Sequence, residues 1–495
     1  MSWPTEAEAR PARHARPAGG PDVVLALDLG TGSLKAALIT AGGDVLRRAA
    51  QAYPAHSPQP GWSESHPDDW WAAAQRAAQD VLRGRDPARV RAVSLSGQMH
   101  GVTLTAPTGE ALRPAVLWSD TRSAPQLEAY HALPEPLLRH LRNPPVTGFA
   151  GPTLLWLAAH EPAALAAARW ALQPKDWLRL HLTGEAATDP SDASGTLLFD
   201  PQRQDWHAGL LERLGLPAAL LPPIRPSGSV AGFLRPAPAR ALGLPAGLPV
   251  LTGAADTAAA LHAADPAPGE AQLTVGTGAQ IAVSRADLPG PHPALHAFRD
   301  AAQGWYQLAA VQNAGNVLEW VRRTLRLSWP DMYLGAQQTA GPATPLFLPY
   351  LTGDRTPHLN PHARAGWLEL GADHGPGHLA YAAFEGVALS IAQAAEQLDL
   401  PRAHPLRLAG GGTLEPWWQQ LLADALNRPL HVTDAPDASL RGAARLAWTG
   451  LGVPWTGEAG PARVTVHPSA DRISQDRRER FGRAADQLMR RARPD

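Results

Sequence analysis

The stretch VVLALDLGTGSLKAALIT, residues 23–40, decides the fold. Val23 to Leu29 is an apolar run of strand length, followed by Gly30-Thr31-Gly32. After the glycines, Leu34, Ala36 and Leu38 alternate with Lys35, Ala37 and Ile39 as in a second strand. A further turn, Gly42-Gly43-Asp44, leads into VLRRAAQAY, so the whole reads as a three-stranded β-meander. A dinucleotide fold or a P-loop would need a helix directly after the glycines, and the spacing does not fit G-x-x-x-x-G-K-[ST].

Half a chain later the pattern returns. LTVGTGAQIAVS, residues 273–284, aligns with LDLGTGSLKAAL, residues 27–38. Each is an apolar strand, a Gly-Thr-Gly turn and an alternating strand, which points to an internal duplication. The expected architecture is α/β, with two related domains facing a central cleft and each offering it one glycine hairpin. Residues 90–105 read as strand, loop and strand. Residues 154–184 read as helical, punctuated by Pro162 and Pro174. LPVLTGAADTAAALHA opens the second half near residue 246, and residues 405–432 read as strand, glycine turn, amphipathic helix and strand. The expected organisation is a leader over 1–21, domains over 22–245 and 246–470, and a terminal charged helix and tail over 471–495.

Composition narrows the classes. A chain of 495 residues exceeds one ordinary core, and two domains are expected. The net charge of −1, with charges scattered, offers no nucleic-acid surface. There is no cysteine, which excludes disulfides, zinc thiolates and a thiol nucleophile. No apolar run reaches the length of a membrane span, and the Ala-, Pro- and Arg-rich leader lacks the apolar core of a signal peptide. A cytoplasmic protein without nucleic-acid or membrane partners is expected, as a monomer or homodimer. Of its 44 basic residues all but Lys35 and Lys175 are arginine, which marks those two as positions where a compact ammonium matters.

Three glycine turns, at 30–32, 276–278 and 410–412, each follow an apolar strand. Backbone N–H groups at such turns form concavities that take phosphate. Thr31 and Thr277 add hydroxyl donors, and Asp28 at the end of its strand is suited to Mg²⁺ carried with a nucleotide. Asp256 is the single charge in VLTGAADTAAAL, residues 250–261. On local grounds it is a helix N-cap.

The sequence resembles the FGGY family of carbohydrate kinases, on the actin-like (ribonuclease H-like) ATPase fold, and within it is most similar to bacterial xylulokinases. The stretches that carry the likeness, from about residue 23 onward, are LDLGTGSLK, LSGQMHG, AVLWSDTRS, GFAGPTLLW, QPKDWLRLHLTGEAATDPSDASGT, GAADTAA, FLPYLTGDRTPHLNP and LAGGGTLEPWWQQLLADAL. The resemblance implies ATP-dependent phosphorylation of D-xylulose on its 5-hydroxyl, with Asp256 as catalytic base and Asp28 assisting at the metal. It implies a sugar site with Met99, His100, Asp256 and Thr257, lined or supported by Lys175 and Asp176, with Asp192 structural. It assigns Thr31, Gly32 and Lys35 to the first phosphate hairpin and Gly276 and Thr277 to the second. Gly315, Gly411 and Gly412 fall to the adenosine and its phosphates. Three positions depart from the usual pattern. Thr257 stands where many xylulokinases have Asn, the first hairpin reads Gly-Thr-Gly-Ser, and Pro416 stands where glycerol kinase has an adenine-side Asn. Thr257 leaves room for another sugar (ribulose, a pentitol or a deoxy sugar) or a silent sugar-binding regulator. An actin-like mechanical ATPase is disfavoured by GQMHG and PYLTGDRTPH.

Overall fold

The computed structural model describes residues 20–401, 404–433, 437–458, 463–469 and 473–492. Apart from Gly20 and Pro21, the expected leader lies outside them.

The opening meander forms as read. Strands Val23–Leu29, Ser33–Ile39 and Val45–Ala52 pair antiparallel in sequence order. Strand Val90–Gly97 then adds in parallel to Val23–Leu29, with Asp28 level with Ser96 and Leu29 with Gly97. Pro249–Leu251 and Ala254–Ala255 add in parallel to Val90–Gly97, and Val230–Phe233 closes the far edge. Two of these segments lie beyond residue 246, so the first sheet takes its last strands from the start of the second half.

The second sheet repeats this plan. Strands Trp305–Val311, Ala279–Arg285 and Ala271–Val275 are antiparallel neighbours. Leu406–Ala409 and Leu430–Val432 follow in parallel, and Val464–Val466 closes antiparallel. The order and sense of these six strands match those of the first sheet, with one additional edge strand, His296–Arg299. The duplication suggested by two Gly-Thr-Gly turns is therefore a duplication of whole sheets.

Both faces of the first sheet are covered, which is why Val23–Leu29 is apolar throughout. Leu25, Leu27 and Leu29 meet helix Pro67–Leu82 through Trp70, Ala73, Ala74, Ala77 and Val81. Val24 and Ala26 face helix Ala438–Gly450 through Leu440, Ala443, Ala444, Ala447 and Trp448. Trp448 also donates its indole N–H to the carbonyl of Ile39 at 3.2 Å. That helix comes from the second half, so the halves are laced together. It runs against helix Asp256–Ala264 so closely that a Cβ on Gly442 would lie 1.8 Å from the carbonyl oxygen of Ala259.

Two local expectations change. Between Pro162 and Pro174 the helical pattern stops at Ala167, and Trp170–Leu172 forms a strand against Thr103–Thr105. The prolines isolate a piece too short to continue a helix, and it takes an available edge instead. The cap of helix Asp256–Ala264 is Ala255, with ψ of 147°, and Asp256 is its first helical residue.

The Gly442 contact generates a prediction. Gly442→Ala should destabilise the protein by roughly 1–3 kcal/mol, because backbone rather than a flexible side chain must give way. Gly482→Ala, in helix Gln475–Arg491, meets only the side-chain amide of Gln393 at 3.7 Å and should be neutral or stabilising. Urea titrations of both variants check the contrast.

Candidate active site

The parallel strands deliver two carboxylates to the C-terminal ends of strands in the first sheet. Asp28 is the penultimate residue of Val23–Leu29, and Asp256 follows directly after Ala255, which is level with Gly97 on the intervening strand. Asp28 is 6% exposed; its Oδ1 accepts from the Ser96 hydroxyl at 2.9 Å, and Lys35 Nζ lies 3.7 Å from Oδ2. Burial raises its pKa above the usual carboxylate range, against the pull of Lys35. Asp256 is half-buried, and loss of hydration, followed by the charge of Asp28, pushes its pKa up to about 6. Oδ1 of Asp256 accepts from the Thr257 amide at 2.5 Å and the Thr257 hydroxyl at 3.2 Å, and no hydrogen bond to Oδ2 occurs among the described residues. Asp256 is thus both held in place and left with a free oxygen.

His100 stacks on Phe149, with ring centroids 4.0 Å apart and planes 20° from parallel. Its Nδ1 lies 2.6 Å from the carbonyl of Gly195, which only accepts, so Nδ1 carries the proton and Nε2 presents a lone pair. Burial pushes its pKa down to about 4, so the ring is neutral at ordinary pH. Met99 is buried, and its sulfur accepts from the Tyr306 hydroxyl at 3.6 Å. Met99 therefore packs beneath the site, and Tyr306, from the second sheet, reaches the environment of Asp256.

The three glycine turns stand at strand ends. The first turn is pinned from behind: Gly30 O accepts from the Tyr53 hydroxyl and from Gln98 Nε2, and Thr31 Oγ1 accepts from the Trp118 indole N–H at 2.9 Å. Gly32 is exposed, and Lys35 has 47% of its side chain exposed. In the second sheet, Gly276 O accepts from Gly315 N at 3.0 Å and Thr277 O from Asn316 N at 3.0 Å, which seats the hairpin on the start of helix Gly315–Thr324. A Cβ on Gly315 would lie 2.4 Å from Gly276 O, so only glycine permits this seat. Gly411 and Gly412 open to solvent beside Val275, at the end of the neighbouring strand.

Lys175 and Asp176 do not line the sugar site. Both are fully buried, in a cluster where Lys175 Nζ meets Asp176, Asp189 and Asp192 at 2.6, 2.9 and 2.9 Å and Arg179 meets Asp176 at 2.8 Å. Burial alone would depress the Lys175 ammonium, but the three carboxylates hold it above its usual range. Two cations face three carboxylates, and burial pushes Asp192 upward, towards the neutral acid. The cluster still serves the site. Asp189 Oδ2 accepts from Ser191 N at 3.0 Å and Ser191 Oγ at 2.5 Å, and Ser191 Oγ accepts from the amide of Ala255, immediately before Asp256, at 2.9 Å. Phe149, Tyr306, Trp118 and Gln280, whose Oε1 is 3.5 Å from Thr257 Oγ1, were not singled out from sequence. Trp118 at least lies inside a stretch, AVLWSDTRS, that carries the resemblance.

The arrangement is a glycine hairpin on each sheet, two carboxylates at strand ends of the first and a neutral imidazole acceptor, which suits transfer of a phosphoryl group to a hydroxyl. Comparison with known proteins agrees. The model for the N-terminal domain of the FGGY family of carbohydrate kinases matches residues 23–262, and that for the C-terminal domain matches residues 271–451. A xylulose kinase of Escherichia coli is 35% identical over 490 residues, covering 94% of this chain and 99% of its own. One from Klebsiella pneumoniae is 35% identical over 458 residues, covering 90% and 91%. The crystal structure of a xyloylose kinase from Brucella ovis superposes with a TM-score of 0.83 at 32% identity, covering 94% of this chain and 98% of that one. With both domains matched in order and both halves of the cleft built as described, the chain belongs to the FGGY family of carbohydrate kinases, and it is an ATP-dependent sugar kinase.

Proposed function

We propose that the sugar is D-xylulose and that the γ-phosphate of Mg-ATP passes to its 5-hydroxyl, giving D-xylulose 5-phosphate. The observation that carries this reading is the state of Asp256: half-buried, raised to about 6, fixed through one oxygen and open at the other. A carboxylate with such a pKa is ionised at neutral pH yet basic enough to accept the hydroxyl proton as the oxygen attacks phosphorus. The likeness to xylulose kinases supports the choice of sugar. His100 Nε2 accepts from a sugar hydroxyl, with Phe149 behind the ring.

Asp28 fits a divalent cation. Its Oδ1 is taken by Ser96, whereas Oδ2 has only Lys35, beyond hydrogen-bond distance at 3.7 Å. Mg²⁺ bound there with the nucleotide supplies charge neutralisation on the phosphates. Lys35, Thr31 and Gly32 bind the phosphates from one side, and Gly276, Thr277, Gly315, Gly411 and Gly412 bind the phosphates and adenosine from the other. Among the described residues no helix is long and apolar enough to cross a membrane. A cytoplasmic enzyme, monomeric or homodimeric, accords with that and with the scattered charge.

A coupled ADP-release assay across ketopentoses, pentitols and glycerol tests the substrate. Turnover is expected with D-xylulose; turnover confined to another sugar would retain the kinase and replace the acceptor. Asp256→Asn should lower kcat by at least about 100-fold, as expected for loss of a general base, with ATP affinity preserved in calorimetry. In the native enzyme kcat should rise with pH through about 6 and fall away below it, since the base must be ionised. The stability effect has the opposite sign. A carboxylate raised from 3.8 to about 6 destabilises the folded state once pH exceeds its unfolded value. Asp256→Asn should therefore be more stable at pH 7 by something on the order of 2 kcal/mol, and the gain should vanish near pH 3.8. His100→Ala should chiefly raise the Michaelis constant for sugar, which steady-state kinetics at saturating ATP would read.

A further inference from the structure

Arg355, in the stretch LTGDRTPH, has no part in the functions above. Its backbone is firmly tied on both sides. Asn313 Nδ2 donates to Gly353 O at 2.6 Å, and Asp354 N donates to Asn360 O at 2.8 Å. Thr356 N donates to Ala310 O at 2.9 Å, and Thr356 Oγ1 accepts from Ala310 N at 3.0 Å and donates to Ala294 O at 2.8 Å. The loop thus presents the Arg355 side chain from the edge of the second sheet.

The half-buried guanidinium makes no hydrogen bond or ion pair among the described residues, and loss of hydration lowers its pKa. Its Cζ lies 5.9 Å from the centre of the Trp118 ring, whose indole N–H holds Thr31 of the first phosphate hairpin. Its charge also acts on His100 and His296. Arg355 therefore lies beside the indole that holds the first hairpin, close enough to His100 for its charge to act on that ring. A cation with no partner among the described residues is available to a bound anion, and the two carboxylates at the strand ends of the first sheet have other partners: Asp28 has Ser96 and Lys35, and Asp256 has Thr257. A sugar acceptor is neutral, so the anion that enters this cleft is the nucleotide's phosphate.

We propose that Arg355 contacts the oxygens of the γ-phosphoryl group during transfer, as an arginine finger supplied in cis by the second domain. The sugar oxygen forms its bond to the γ-phosphorus while the bond from that phosphorus to the β,γ-bridging oxygen breaks. The hydroxyl proton goes to Asp256, ADP departs with the electron pair, and Arg355 neutralises charge without gaining or losing a bond. The inference rests on phosphoryl transfer and not on which sugar receives it.

The test uses full-length Arg355→Ala and Arg355→Lys with whichever sugar the native enzyme turns over. Arginine fingers contribute roughly 10³–10⁵ in kcat, so Arg355→Ala should fall by at least about 100-fold, with Arg355→Lys intermediate. The dissociation constant for sugar alone should stay within about threefold. Millimolar guanidinium added to Arg355→Ala should restore part of kcat, a response that a merely structural residue would not give. An unchanged kcat would overturn the proposal. So would a raised sugar dissociation constant with kcat retained, which would make Arg355 a sugar ligand. Loss of activity with an unfolded circular-dichroism spectrum in both variants and no rescue would make it structural. Asp256→Asn assayed in parallel keeps the base assignment separate: its failure leaves the guanidinium response of Arg355→Ala intact.

Discussion

The floor of the cleft is built on one buried ammonium. Lys175 has no exposed side-chain surface and is satisfied only by carboxylates arriving from residues 176, 189 and 192. Removing one partner of such a group leaves a buried charge uncompensated, at a cost of about 3–5 kcal/mol, so the segments carrying these residues come together as a unit. Ser191 lies within that unit and holds the amide of Ala255. The short strand Ala254–Ala255 is consequently fixed from two directions, by Val90–Gly97 and by Ser191, before Asp256 begins its helix. A charge sealed in the interior sets where the Asp256 carboxylate stands.

The duplicated sheets explain why the cleft has two similar walls with different tasks. Each parallel strand pair ends in glycine, and each hairpin is backed by hydrogen bonds from its own domain. On the first wall the side chains of Tyr53, Gln98 and Trp118 join the backbone N–H groups of Tyr53 and Gln98 in that backing. On the second it comes from backbone N–H groups at the head of a helix.

Much of this was legible in the sequence because it is local. Strand alternation has a period of two, and Gly-Thr-Gly marks a turn wherever it falls, so residues 23–52 and 271–285 read correctly without any partner in view. Asp256 is conspicuous as a lone charge among Ala, Gly and Thr. What the sequence hid depends on burial and on distant partners. Lys175 reads as a candidate for the sugar site, and only its complete enclosure moves it to the interior. Thr257 reads as a missing side-chain amide, whereas its hydroxyl donates to Asp256 Oδ1 beside its own backbone N–H, so the departure affects how that carboxylate is oriented. Arg355 is one arginine among dozens until its lack of a partner is seen in three dimensions.

The scarcity of lysine has a practical side. Lys175 is sealed, so Lys35 is the one lysine side chain that solvent reaches, and it sits on the strand leaving the first glycine hairpin. An amine-reactive fluorophore applied to the folded protein would therefore mark a single side chain, the α-amino group aside, at the edge of the nucleotide cleft. The native chain carries its own site-selective handle for optical studies of nucleotide occupancy, with no cysteine to introduce and none to remove.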